Sequence, residues 1–257
     1  MNKVIEISNL HYSINDKKIL KDINISFEKG EFIGLIGPNG AGKTTLLKSI
    51  NGINQLDEGN IKIFGNDIRK MKEKELAKEV ALMNQNTSIS FAFPCADIVM
   101  MGRYPYSRTF GGFTKEDSEV VNKYMNFTDT IEFKERLITQ LSGGERQRVL
   151  FAKVLAQETD VILLDEPTAS LDITHEEQIF KYSKELSDKG KTVIAAVHDL
   201  RIAIKYCSKL VLLNQGKIIK QGTAEEVITE ENLKTAYGIN SEVYFNSVSN
   251  SLDFVVL

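Results

Sequence analysis

Hydrophobic and polar positions change period twice along the chain, dividing it into three parts. In the first, Val4, Ile5 and Ile7 precede a turn at Asn15-Asp16. Beyond it Ile23, Ile25 and Phe27 alternate with polar residues, the spacing of a half-buried strand. Glu31 then opens Phe32-Ile33-Gly34-Leu35-Ile36, a continuous apolar run typical of a strand buried on both faces. This run enters a glycine-rich loop, followed by helical spacing over 44–50. Residues 59–64 read as another strand, and 72–80 as a charged surface helix with Leu76, Ala77 and Val80 turned inward.

From 87 to about 159 the β-branched runs vanish and helical spacing dominates, clearest at Val149, Leu150, Ala152, Val154 and Leu155. A loop over 103–112, rich in aromatic and small residues, interrupts this part. Alternation then returns. Apolar strands at 161–164 and 193–197 flank an amphipathic helix over 176–187 that Gly190 stops. A helix over 200–206 follows, and 210–213 pairs with 217–220 as a hairpin about Asn214-Gln215-Gly216. Thr223 and Glu226 have the spacing of a capping box opening a short helix, and 243–257 suggests a last hairpin. Strands alternating with helices about a glycine-rich turn imply an α/β fold, its mostly parallel sheet binding a ligand at the carboxyl edge. The helical part reads as an insertion. The expected division is a core over 1–86 and 159–222, a helical subdomain over 87–158 and a terminal helix and hairpin over 223–257.

Composition narrows the class. Of 257 residues, 42% are hydrophobic and 26% charged, which excludes a disordered or collagen-like chain. Thirty-two Lys and Arg against 35 Asp and Glu leave a formal charge of -3, so no global basic field calls for nucleic acid. Cys95 and Cys207 lie far apart without metal-ligand spacing and fit a reducing compartment. The N-terminus lacks the pattern of a secretory signal, and no apolar run approaches the ~20 residues of a membrane-spanning helix. A cytoplasmic protein that meets a membrane only through a partner is expected.

Gly37-Pro38-Asn39-Gly40-Ala41-Gly42-Lys43-Thr44 fits the phosphate-loop pattern GxxxxGK[ST]. A backbone that approaches phosphate oxygens must do without Cβ atoms, and successive N–H groups at a helix start form an anion nest. Lys43 is expected at the β- and γ-phosphates and the Thr44 hydroxyl on Mg2+, with Thr45 beside it. An ordinary glycine turn is the rival account. Average composition makes a chance match of this pattern roughly a one-in-a-hundred event for such a chain, and the strand before and helix after supply the required context.

A second apolar strand ends in Asp165-Glu166-Pro167. Asp165 is a hard oxygen ligand for Mg2+, and Glu166 is placed to take a proton from an attacking water, a role worth about 10²–10⁴-fold. Two solvated acids at a strand end are the bland alternative, weakened by the phosphate loop in the same chain. Leu141-Ser142-Gly143-Gly144-Glu145-Arg146-Gln147 opens a helix, with Ser142 and Glu145 spaced as a capping box. Gly143 and Gly144 need another reason, since glycine weakens a helix start; they suit a second anion-binding terminus.

LSGGERQR, the phosphate loop and LLDEPTASLD together resemble the ATP-binding cassette (ABC) family over essentially the whole chain. The resemblance implies the P-loop NTPase (RecA-like) fold with an antiparallel β subdomain and an inserted helical subdomain. It implies ATP and Mg2+ as cofactors, Gln85 as the glutamine that senses metal and water, and His198 as the switch histidine near the γ-phosphate. Tyr12 would stack on adenine, and Ser170-Leu171-Asp172 would contact a second copy of the chain. Ser142, Gly143 and Gly144 would grip the γ-phosphate of ATP held by that copy, in a head-to-tail dimer. His11 and His175 match no pattern and read as solvated.

The stretch 96–106, Lys115-Glu116-Asp117 and 232–238 further resemble ATPases of importers for iron–siderophores, haem and cobalamin. This implies a peripheral subunit on the cytoplasmic face, bound to separate permease chains and served indirectly by a substrate-binding protein. The region from Gln85 to about Phe113 would receive a permease helix, with Tyr104, Tyr106 and Phe110 as exposed aromatics. An importer of another cargo such as a metal ion, or a non-transport ABC ATPase, is the alternative. No coiled-coil insertion marks a DNA-repair member, and a single cassette argues against a ribosome-acting one.

Overall fold

A computed structural model describes residues 3–85, 91–107, 112–168 and 172–257. Strands β1 (Lys3–Ile14) and β2 (Lys17–Glu28) form a hairpin whose turn residues Asn15 and Asp16 both take positive φ, as a two-residue turn between twisted strands requires. The buried run forms β3 (Phe32–Ile36), followed by α1 (Lys43–Ile50), β4 (Glu58–Ile63), the short β5 (Asn66–Asp67) and α2 (Glu73–Glu79). Val80 does not close that helix as its spacing suggested. It is the first residue of β6 (Val80–Met83), where a buried β-branched residue is better placed than in a helix.

The helical part follows as α3 (Cys95–Met100), α4 (Lys115–Phe127) and α5 (Gly143–Leu155). Thr114 with Asp117 and Ser142 with Glu145 make the capping boxes that start the last two. Residues 103–106, expected in a loop, belong instead to the 3-10 helix Met101–Tyr106. Then come β7 (Val161–Asp165), α6 (Ile173–Asp188), β8 (Thr192–Ala196), α7 (Leu200–Tyr206), β9 (Lys209–Asn214) and β10 (Lys217–Gly222). The chain ends in α8 (Ala224–Val227), α9 (Glu230–Tyr237) and the hairpin β11 (Ser241–Asn246) and β12 (Ser251–Val256).

Three sheets form among the described residues. The main one has the order β10-β9-β3-β8-β7-β6, parallel but for β10, and a four-stranded antiparallel sheet has the order β2-β1-β4-β5. The expected α/β architecture is thus present, with the helices α3–α5 inserted between β6 and β7. Side chains alternate across the main sheet into two cores. Ile162, Leu164, Val193 and Ala195 face the core that α3–α6 complete, whereas Val161, Leu163, Ile194 and Ala196 face α1 and the antiparallel sheet. Because the five core strands run parallel, the segments leaving β3, β6, β7 and β8 all emerge at one carboxyl edge. Among the described residues no helix is long and apolar enough to cross a membrane.

Candidate nucleotide site

The phosphate loop leaves β3 through Gly37, whose φ is +142° and where an added Cβ would stand 2.1 Å from the Leu213 carbonyl oxygen. No residue with a side chain fits there. The loop then wraps its own lysine: Lys43 Nζ donates to the carbonyls of Gly37 at 2.6 Å and Pro38 at 3.1 Å. Lys43 is buried, and desolvation lowers its pKa against the opposing pull of Glu166 and Asp165. Asn39, Gly40, Ala41, Gly42, Thr44 and Thr45 line one wall of a cleft of about 560 Å³, which Ile14, Lys17, Lys18, Lys21, Gln215 and Glu166 help to close. The lysines of β2 make the mouth of this cleft basic. They were invisible as site residues in the sequence, because their distance from the phosphate loop along the chain hides a contact made by sheet packing.

At the carboxyl end of β7, Asp165 is buried and accepts a hydrogen bond from the Thr44 hydroxyl, Oγ1 to Oδ1 2.7 Å. Desolvation raises its pKa, the Thr44 bond opposes this, and the Glu166 charge adds to it. A hydroxyl and a carboxylate meeting beside a phosphate loop are a donor set that suits Mg2+, a hard cation taking oxygen ligands. Glu166 has φ +48°, the left-handed region that costs a non-glycine residue about 1 kcal/mol or more. That conformation turns its carboxylate away from the strand and toward neighbouring strand ends. One oxygen receives the amide of Gln85, just after β6, and the other stands 2.5 Å from Nε2 of His198, just after β8. Three residues separated by 81 and 32 positions are thereby brought into contact by adjacent parallel strands.

Other expected residues lie elsewhere. Ser142 and Gly143 are exposed and Gly144 is buried at the start of α5, and none of the three lines the cleft. Tyr12 pairs with Leu20 across the β1–β2 ladder and is half-buried against the core; Ile14, not Tyr12, lines the cleft from β1. Asp172 caps α6, while Ser170 and Leu171 lie outside the described residues, as does Phe110. Tyr104 is 72% exposed, but Tyr106 is not the exposed aromatic expected. Its hydroxyl donates to the Gln157 carbonyl at 3.1 Å and its ring carries the Arg103 guanidinium at 4.0 Å. His175, expected to be solvated, is half-buried and its Nδ1 stands 2.8 Å from Asp172 Oδ1. Tyr237, whose position the sequence marked only by resemblance, packs against the helical core, and burial pushes its hydroxyl up to about 12.

Residues 20–169 match the sequence model of the ABC transporter family. The chain is 38% identical to the cobalamin import ATP-binding protein BtuD of Halobacterium salinarum over 91% of its own length, and this spans 58% of that relative. It is 37% identical to the iron(3+)-hydroxamate import ATP-binding protein FhuC of Bacillus subtilis, over 91% of this chain and 88% of that one. Among solved structures, a transporter assigned to the metal-chelate type, in an inward-facing conformation, superposes with a TM-score of 0.87 at 28% identity, covering 100% of this chain and 98% of that one.

Proposed function

Because the chain belongs to the ABC transporter family, we propose that it is the ATP-hydrolysing subunit of an importer for an iron–siderophore, haem or a cobalamin-type compound. The observation that carries this reading is the placement of the Glu166 carboxylate between Gln85 and His198, at the edge where the phosphate loop begins. Backbone N–H groups of Asn39, Gly40 and Gly42, the Lys43 ammonium and the start of α1 hold the triphosphate. Thr44 and Asp165, with Gln85, are the ligands offered to Mg2+, which when bound neutralises charge on the phosphates. Glu166 takes a proton from the attacking water after one of its two side-chain contacts yields. His198 then orients the γ-phosphate side of the site, and Ile14, which lines the cleft from β1, offers the adenine ring its apolar surface.

Half of the machinery points outward. Ser142, Gly143 and Gly144 open a helix whose terminal N–H groups and dipole favour an anion, yet they lie away from the chain's own cleft. In the proposed reading they complete the site of a second copy, with Asp172 at the same contact, so that two ATP molecules close a two-fold dimer. The helical subdomain over 87–158 swings against the core over 1–86 and 159–222 as the dimer closes and opens. Phe91, Phe93, Met101, Tyr104 and Phe113 are exposed along the segment after Gln85, and this apolar run receives the cytoplasmic helix of a permease. The subunit thus works at the cytoplasmic face, and the substrate-binding protein acts on it only through the permease. Residues 223–257 form an appended terminal unit.

Glu166→Gln tests the reading. It keeps ATP binding, lowers turnover by ~10²–10⁴-fold and lets the Mg·ATP-loaded protein collect as a dimer in analytical ultracentrifugation. Wild-type turnover in this variant removes Glu166 from the base role. Assembly with the permease and stimulation of hydrolysis by a loaded binding protein identifies the cargo; stimulation by DNA or RNA instead overturns the transport reading.

A further inference from the structure

Gly144 is the buried member of the Ser142-Gly143-Gly144 helix start, and the reason for its burial lies in its own chain. A Cβ built on it would stand 2.5 Å from Cδ2, 2.6 Å from Cγ and 2.8 Å from Nδ1 of His175. The imidazole is therefore packed directly on the Gly144 backbone. The ring is itself held, because Asp172 Oδ1 lies 2.8 Å from its Nδ1 and also accepts the His175 backbone N–H at 2.9 Å. That carboxylate is the N-cap of α6, so ring and helix start move together. Two further contacts tie the same region to the segment after Glu166. Gln147 Nε2, in the second turn of α5, donates to the Pro167 carbonyl at 2.6 Å, and the Thr168 hydroxyl donates to Glu176 Oε1 at 2.8 Å.

We propose that His175, oriented by Asp172, is a positioning residue that sets the height of the Ser142–Gly144 helix start and links it to the Glu166 segment of the same chain. The inference rests on the composite-site reading above and deepens it. The helix start serves the nucleotide of the second copy, while Glu166 serves the chain's own. A bracket made of His175, Asp172 and Gln147 joins them, so each chain connects the two sites of the dimer. A change at Glu166 when one ATP is split shifts Pro167, and through α5 the grip on the other ATP. Gly144 is glycine because the imidazole takes the space of a side chain.

The test uses the full chain. His175→Ala is expected to leave ATP-analogue affinity unchanged when measured at protein concentrations too low for pairing. Combined with Glu166→Gln, it is expected to weaken Mg·ATP-dependent dimerisation at least tenfold relative to Glu166→Gln alone. In the otherwise wild-type chain, the Hill coefficient for ATP hydrolysis should fall toward one, and kcat should fall more than KM rises. His175→Asn, whose amide still reaches Asp172, should recover most of both effects. Gly144→Ala should lower thermal stability, and adding His175→Ala should return part of it, a coupling that separates this contact from a general loss of structure. Undiminished dimerisation and cooperativity in the His175→Ala variants overturn the proposal while leaving the composite site standing. A Glu166→Gln protein that stays monomeric with Mg·ATP overturns both.

Discussion

Asp165 illustrates how a residue suited to its chemistry works against the stability of the fold. Its carboxyl is buried and its pKa is raised, by desolvation first and by Glu166 next. The folded chain therefore holds this proton more tightly than the unfolded one. The associated stability is complete below the ordinary carboxylate pKa and is lost as pH rises through the folded value. At neutral pH the ionised group is a net cost. Asp165→Asn keeps an oxygen for the Thr44 hydroxyl and removes the charge, so its melting temperature should exceed wild type at pH 7.5, by about 2–4 °C for each kcal/mol gained in a chain of this size. The gain should shrink as pH approaches 4, and Mg2+-dependent hydrolysis should be lost. A variant melting below wild type at pH 7.5 contradicts this account. The carboxylate pair and the phosphate loop were both legible in the sequence, because short-range spacing writes them. The Gln85–Glu166–His198 contact was legible only through resemblance.

At the scale of elements, Arg103 shows how a segment that looks like a loop becomes a strut. Its Nε donates to Asp117 at 2.9 Å and its Nη1 to the Ala156 carbonyl at 2.8 Å and Glu158 at 3.0 Å, with 6% of the side chain exposed. The 3-10 helix Met101–Tyr106 is thus pinned to the start of α4 and the end of α5. Asp117 is held below the usual carboxylate range by hydrogen bonds from Thr114 and Arg103, which together outweigh the larger opposing effect of burial. Arg103→Ala strands that carboxylate and should cost about 3–5 kcal/mol, read as a lower midpoint in urea. Arg103→Lys cannot reproduce the multi-armed contact and should recover little. A midpoint unchanged in the alanine variant removes the strut. Hydrophobic periodicity could not reveal this element, since 3-10 turns are short and their defining contacts lie 14 to 55 residues away.

Across the whole molecule, the cleft is assembled from the antiparallel sheet, the phosphate loop and the carboxyl end of β7. A ligand that binds only this assembled form stabilises it by mass action. Mg·ATP at a hundred times its dissociation constant should add about 2.7 kcal/mol, a rise of roughly 5–10 °C in melting temperature for a chain of this length. Lys43→Ala should abolish most of that shift, and chelating Mg2+ without nucleotide should leave the melting curve unmoved. An undiminished shift in Lys43→Ala counts against the phosphate cradle.

Local spacing along the chain was enough to specify most strands and helices, the caps at Ser142 and Thr223, the turns, and the phosphate loop and acidic pair that follow two buried strands. Each depends on residues a few positions apart, where steric and hydrogen-bonding preferences act directly. Tertiary packing alone decided that Val80 begins a strand, that Tyr106 is engaged rather than exposed, that His175 packs on Gly144, and that the lysines of β2 face the cleft. Those outcomes depend on which strand lies beside which, and no local preference encodes that.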